Sequence, residues 1–296
     1  MVINILIFLA GLIIYAGYGI PGLCYIIGAT LVTYIAGLLI RKHRWVMWIS
    51  VGLNALILLA VKLQPVTGFE ILAPLGMSYF TLQIISYNAD IYRNKYEPEK
   101  NLFRYGLFVT YIPHLFVGPI ERYDAMRTAL FEDRKITWEG VLNGAARLMW
   151  GLFKKFVIAA RAGVIVSAIS ADTQQYAGAY ALLAVLMYSV QLYADFSGGI
   201  DMVLGVSRML GVKMSENFDA PYFAQSFQEF WRRWHITLGS WLREYVYIPL
   251  GGNRKGKVRK TVNLIITFLV SGIWHGINYL LWGLFNGIFV AFGEKL

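Results

Sequence analysis

Charge is what this sequence has least of. Only 15% of its 296 residues are Asp, Glu, Lys or Arg, where a soluble domain carries roughly 25%, and no Lys, Arg, Asp, Glu or His precedes Arg41. A bilayer span needs about 20 apolar residues, so this opening stretch excludes an ordinary soluble protein. Cysteine is nearly absent. The single one, Cys24, sits in an apolar run, which leaves no disulfide framework, Cys-x-x-Cys pair or thiolate metal cage, and no metal is expected. No Gly-x-Ser-x-Gly elbow and no His-Glu-x-x-His occur, which removes the commonest hydrolase and zinc-protease patterns. Gly251 to Lys257 spells Gly-x-x-x-x-Gly-Lys, but Val258 follows where a phosphate loop needs Ser or Thr, so the segment reads as a basic turn.

What is present is apolar sequence interrupted by basic residues. Uncharged runs cover 2–20, 22–40, 45–61 and 71–89, with the first two parted by the turn signal Gly19-Ile20-Pro21-Gly22. The first run lacks a basic leader and is followed at once by a second span, unlike a cleaved signal peptide. Further apolar segments are 103–120, 141–170, 173–194 and 261–293, giving about eight. The fold class expected is all-α: a polytopic membrane protein with an added interfacial or re-entrant amphipathic helix, 1–296 forming one integral-membrane domain. Positive-inside reasoning places Arg41-Lys42-His43-Arg44 and the Arg93, Lys95, Lys100, Arg104 loop in the cytoplasm, with the nearly uncharged 64–70 loop outside. Simple parity then puts the basic 213–260 region outside, unless one segment breaks, and the glycines of 196–201 mark the expected break.

The net charge of +10 suggests anionic lipid or another anionic partner; nucleic acid is set aside, because the basic residues sit between hydrophobic spans. Phe227, Phe230, Trp231, Trp234, Leu238, Trp241, Leu242 and Tyr245 recur at helical spacing, predicting an interfacial helix with a Trp-rich face bordered by His235. Residues 213–260 hold nine basic side chains against four acidic ones, which fits a cytoplasmic loop, or a surface for an anionic donor through Arg232, Arg233, Arg243, Arg254 and Lys255. On the last segment Thr267, Ser271, His275, Asn278, Trp282 and Asn286 share about a third of a helix circumference. A polar stripe at membrane depth must face protein or water, and an ionisable residue there is a functional candidate. Gly272 with Gly276 and Gly283 with Gly287 allow close helix approach. Gln191, Asp195 and Asp201 form another polar patch, expected to pair with Arg147, Arg161 or Arg208, while His43 and His114 read as structural or interfacial.

The strings Trp-Arg-Arg-Trp-His (231–235), Tyr-Val-Tyr-Ile-Pro-Leu-Gly-Gly (245–252) and Gly-Ile-Trp-His-Gly (272–276), in this order, resemble the membrane-bound O-acyltransferase family. Residues 75–81, 113–120 and 191–198 look like its bacterial branch, which includes alginate O-acetylases. The resemblance implies a shell of helices around a tunnel in a bacterial inner membrane, crossed many times. It implies transfer of an acetyl group from a cytoplasmic thioester donor, acetyl-CoA or an acyl carrier, to hydroxyls of an envelope polysaccharide, with no tightly bound cofactor. His275 and His235 match the family's two histidines. A neutral imidazole accepting the hydroxyl's proton suits that reaction, and the base is assigned to His275. Ser271, Asn278, Trp282, Trp231, Trp234, Asp195 and Gln191 are the tunnel candidates. Expected partners are membrane lipid, the polysaccharide, an extracytoplasmic acetyltransferase and an acidic carrier protein. Two departures matter: the sequence ends at Glu294-Lys295-Leu296, implying a chain shortened at both ends and lacking the C-terminal helices of full-length relatives, and Asn286 stands where relatives often carry His. The competing readings are D-alanyl transfer to teichoic acid, a transporter or channel using Asp195, Asp201 and His275, and an inactive fragment.

Overall fold

The structure is a computed structural model describing residues 2–68, 73–132 and 134–293. The start of the segment expected at 71–89, part of the 64–70 loop and the terminal 294–296 lie outside the described residues. Its helices are α1 (Val2–Gly17), α2 (Ile20–Ile40), α3 (Trp45–Lys62), α4 (Gln64–Thr67), α5 (Met77–Tyr92), α6 (Leu102–Thr110), α7 (Ile112–Phe116), α8 (Tyr123–Arg127), α9 (Trp138–Phe153), α10 (Ala160–Ala171), α11 (Ala179–Met209), α12 (Phe227–Arg233), α13 (Ile236–Leu242), α14 (Gly256–His275) and α15 (Leu280–Phe292). Among the described residues there is no strand, only an isolated bridge between Phe218 and Trp234. Among the described residues three helices, α2, α3 and α11, are long and apolar enough to cross a membrane. Their outward faces leave large side chains such as Ile35, Trp48, Leu56 and Leu182 uncovered, the character of surface solvated by lipid rather than water.

The chain divides into two compact units, Met1–Thr128 with Ser215–Leu296, and Ala129–Met214. In the first, α5 is central and packs against α2, α3, α6 and α7. Nearly every residue from Phe80 to Ile91 is buried, polar ones included, so its amides need protein partners. Asn88 donates to Ser50 Oγ at 2.8 Å, and Gln83 Nε2 lies 3.0 Å from His114 Nδ1. His114 is thus buried in structural pairing, while His43 is exposed beside Trp45.

The second unit pairs α11 with α9 and α10, the latter two joined by a π turn at Lys154–Ala159. The break expected at 196–201 is not there: α11 runs through it unbroken. Its glycines serve packing instead, since a Cβ on Gly151 would meet the Gly198 carbonyl at 2.6 Å and one on Gly198 would meet that of Gly151 at 2.9 Å. Asp201 accepts from Arg147 at 2.9 Å and pairs with Lys154, and Asp195 pairs with Lys155 at 2.5 Å. Arg147 is therefore a partner as expected, while the two lysines of the π turn take the places given to Arg161 and Arg208.

Three other expected helices are broken. Segment 103–120 becomes α6 and α7, parted where Tyr111 turns extended (ψ 112) ahead of Pro113; nine residues of α6 reach only about 14 Å, half a bilayer core. The helix expected across 225–247 stops at Trp234, which is extended, and His235, which is left-handed at φ 47. Segment 261–293 folds back at Gly276 (φ 149), making α14 and α15 an antiparallel hairpin. Gly272, Gly283 and Gly287 do form the close helix contact, but between these two arms. Gly252 to Arg254 remain a turn, tied down by Asn263 Nδ2 donating to the Gly252 carbonyl at 2.8 Å.

A Cβ on Gly272 would meet the Tyr279 carbonyl at 2.6 Å, whereas one on Gly28 meets nothing within 4 Å. Gly272→Val is expected to cost about 1–3 kcal/mol, and Gly28→Val to stay within about 0.5 kcal/mol, read as unfolding midpoints in detergent.

Candidate functional site

Within the first unit, α12, α13, α14 and the end of α15 enclose a cavity of about 480 Å³. Its wall is aromatic and aliphatic, with Trp231, Trp234, Leu238, Leu264 and Phe268; His235, Thr267 and Ser271 supply polar groups, and Arg232, Arg243 and Lys260 supply charge. Arg232 and Arg243 are exposed while His235 and Ser271 are buried, so the cations stand at the open rim. Neither arginine makes an ion pair among the described residues, whereas Arg233 is held by Glu229 at 2.7 Å. Arg233, Arg254 and Lys255, grouped with them from the sequence, do not line the cavity.

His235 owes its position to a segment distant in sequence. Asn217 Oδ1 accepts from the Thr237 amide at 3.0 Å and the Thr237 hydroxyl at 2.9 Å, and lies 3.3 Å from His235 Nδ1. The Asn217 carbonyl accepts from the Ile236 amide at 3.0 Å, and Asp219 N–H donates to Arg233 O at 2.9 Å. Those bonds satisfy the groups that the helix break would otherwise orphan. An amide oxygen already accepting from two donors calls for Nδ1–H on His235, which makes Nε2 the basic nitrogen.

His275 ends α14 and is exposed; the Trp274 ring lies between the two histidines, 4.7 Å from His275 and 6.0 Å from His235. Trp274 is fixed from below by α5: its indole N–H donates to the Ser78 carbonyl at 3.1 Å and its face meets the Tyr79 edge at 5.6 Å. Trp282, on the returning arm, is 5.4 Å from His275 and 5.6 Å from Trp231. The structure thus brings together His235, His275, Ser271, Trp231, Trp234 and Trp282. Asn278 is exposed in the short turn Ile277–Tyr279, and Asn286 donates back to the Trp282 carbonyl at 2.8 Å. Asp195 and Gln191 belong to the second unit and are not among the lining residues. Asn217, Trp274 and Lys260 were not singled out from the sequence: Lys260 lay in the basic count, Trp274 in a quoted motif, and Asn217 carries no local signal.

The rim is anchored to the loop after α5. Tyr245 lies between the Arg93 and Arg122 guanidiniums, each 5.0 Å from its ring, and donates to Asp90 at 2.8 Å; Arg122 also pairs with Glu244 at 3.1 Å. At the other end, Trp274 meets Lys62, the last residue of α3, 5.9 Å from its ring. The cavity therefore opens near the Arg93 loop, and His275 stands near the far end of α3.

The model of the membrane-bound O-acyltransferase family matches residues 42–295. A probable alginate O-acetylase AlgI of Pseudomonas syringae is 36% identical over 314 residues, covering 97% of this chain and 60% of that protein. The peptidoglycan O-acetyltransferase of Helicobacter pylori is 32% identical, covering 95% and 62%, and the teichoic acid D-alanyltransferase of Streptococcus thermophilus is 31% identical, covering 84% and 64%. The chain spans about three fifths of the length of these curated relatives.

Asn217→Ala removes the shared acceptor and leaves the Thr237 donors without it. The expected outcome is a loss of about 1–3 kcal/mol and faster deuterium exchange at the Ile236 and Thr237 amides, with α2 and α3 amides unchanged.

Proposed function

The chain belongs to the membrane-bound O-acyltransferase family, and from that premise we propose that it moves an acetyl group from a cytoplasmic thioester to a hydroxyl of an envelope polysaccharide in a multi-pass inner-membrane setting. The observation that carries this reading is a cavity with His235 and Ser271 in its buried wall and Arg232, Arg243 and Lys260 among its lining, with the Trp274 ring between His235 and the exposed His275. Positive-inside reasoning puts the Arg93 loop in the cytoplasm, and the Arg93–Tyr245–Arg122 contacts bring the rim to that face. An anionic donor such as acetyl-CoA, or the phosphopantetheine of an acidic carrier, meets rim cations there and extends its acyl arm inward. No tightly bound cofactor enters the scheme.

At the far end the acceptor hydroxyl approaches His275. Its oxygen attacks the thioester carbonyl carbon, the imidazole accepts its proton, and the carbon–sulfur bond breaks to release a thiolate, which takes up that proton to leave as the thiol. The thioester is already activated, so direct attack needs no acyl-enzyme. His235, with Nδ1 turned to Asn217, aligns the carbonyl or shares the proton. The acetylases among the relatives favour acetyl over D-alanyl, since the D-alanyltransferase match is lower in identity and covers less of this chain. An extracytoplasmic acetyltransferase is a proposed partner for later steps.

The test quantifies alkali-labile acetate and D-alanine on envelope polymers of cells expressing the chain, beside His275→Ala and His235→Ala at equal membrane abundance. Acetate should rise with the parent chain and fall about 100-fold or more with His275→Ala. D-alanine rising instead would replace the acetyl reading, and no histidine-dependent ester would refute acyl transfer.

A further inference from the structure

Lys62 is the only Lys or Arg between Arg44 and Arg93. A cation at the end of α3 away from the basic loop runs against the positive-inside preference, and a lysine there usually snorkels its ammonium toward lipid headgroups. Lys62 does otherwise. It is half-buried, and its Nζ lies 5.9 Å from the ring of Trp274, whose centroid is 4.7 Å from that of His275. Among the described residues it makes no ion pair.

A positive charge beside a proton-accepting imidazole disfavours the imidazolium that transfer would create, so it needs a compensating reason. An anion arriving with the substrate supplies one. Around the same point stand Trp274, the exposed Tyr279, whose ring is 6.0 Å from His275, and Trp282. Aromatic faces stack against the C–H faces of sugars, and an ammonium binds a carboxylate or phosphate as a point charge.

We infer that Lys62, with the exposed Tyr279 near His275, forms an anion subsite that selects acceptor polymers carrying a carboxylate or phosphate next to the reacting hydroxyl. This rests on the reading of His275 as the site of transfer. The subsite binds the acceptor's charge while His275 takes the hydroxyl proton, and binding neutralises the field that Lys62 places on the imidazole.

The test titrates the purified chain in phosphatidylcholine nanodiscs with a polyguluronate hexamer, a glycerol-phosphate hexamer and a neutral isomaltohexaose, following intrinsic tryptophan fluorescence. At least one anionic oligomer should bind about tenfold more tightly than the neutral one, the size of one charge-assisted contact. Lys62→Ala should erase that margin without changing the neutral Kd, and Lys62→Arg should keep it. Which anionic oligomer holds the margin identifies carboxylate or phosphate as the group read. Equal binding of all three oligomers, no binding of any, or a margin that survives Lys62→Ala would overturn the subsite. The ester measurement on cells, set beside this titration, separates the two ideas: a Lys62-dependent margin without histidine-dependent ester deposition refutes transfer and keeps the subsite, and the reverse refutes the subsite alone.

Discussion

A helix that breaks within a membrane protein has no bulk water to satisfy its freed amides, so every break must be held by protein groups. The side-chain oxygen of Asn217 does this at the centre of the site. It receives the Thr237 amide and hydroxyl and faces His235 Nδ1, and the Asn217 backbone takes the Ile236 amide. Thr237 Oγ in turn accepts from the Ile120 amide at 3.0 Å, joining the α7–α8 connection to the same network. One buried carboxamide thus fixes the left-handed turn of His235, its tautomer and the divergence of α12 from α13. The cavity exists because those two short helices diverge there.

Sequence alone shows the fold wherever a charge-free run ends in a strong signal. Gly19-Ile20-Pro21-Gly22 and Arg41 to Arg44 bound α1, α2 and α3 almost as drawn. It misleads where a break preserves the apolar period. Phe227, Phe230, Trp231 and Trp234 continue in register into Leu238, Trp241 and Leu242, although the backbone turns at His235, because the turn is dictated by Asn217, 18 residues away. The hairpin at Gly276 had a readable sign: residues 261–293 as one helix would reach about 50 Å, far beyond a bilayer core. The glycines of 196–201 suggested a break, but glycine at membrane depth also permits backbone contact, and α11 uses it for that purpose.

Both histidines were legible because an ionisable residue in apolar sequence needs a reason to be there. Trp274 was not, since an indole in an apolar run is ordinary; its role comes from Ser78, which holds its N–H, and from rings converging on it out of two arms of a hairpin. Asp195 and Gln191 were also tunnel candidates from sequence, although pairing with Arg147, Arg161 or Arg208 was the expected role of their patch. The π turn of the second unit supplies Asp195 with Lys155, and the Gln191 side chain packs over Gly163 in the same unit.

The two ends of the first unit differ in how their charges are compensated, and that difference gives the site a direction. Near the Arg93 loop the cations are many and mostly engaged: Arg122 with Glu244, Lys95 with Asp90 and Asp124, Arg41 with Glu97. Arg232 and Arg243, facing the cavity rim, are exceptions. At the far end Lys62 lies over Trp274 and makes no ion pair among the described residues. For the proposed transfer, Arg232 and Arg243 at the cavity rim and Lys62 over Trp274, none in an ion pair among the described residues, suit a negatively charged donor at the rim and a negatively charged acceptor on the Lys62 side, with aromatic rings and two histidines between. A thioester carbonyl and a hydroxyl are both neutral, so the low-polarity middle costs them little desolvation while the charged remainder of each stays near a compensating cation.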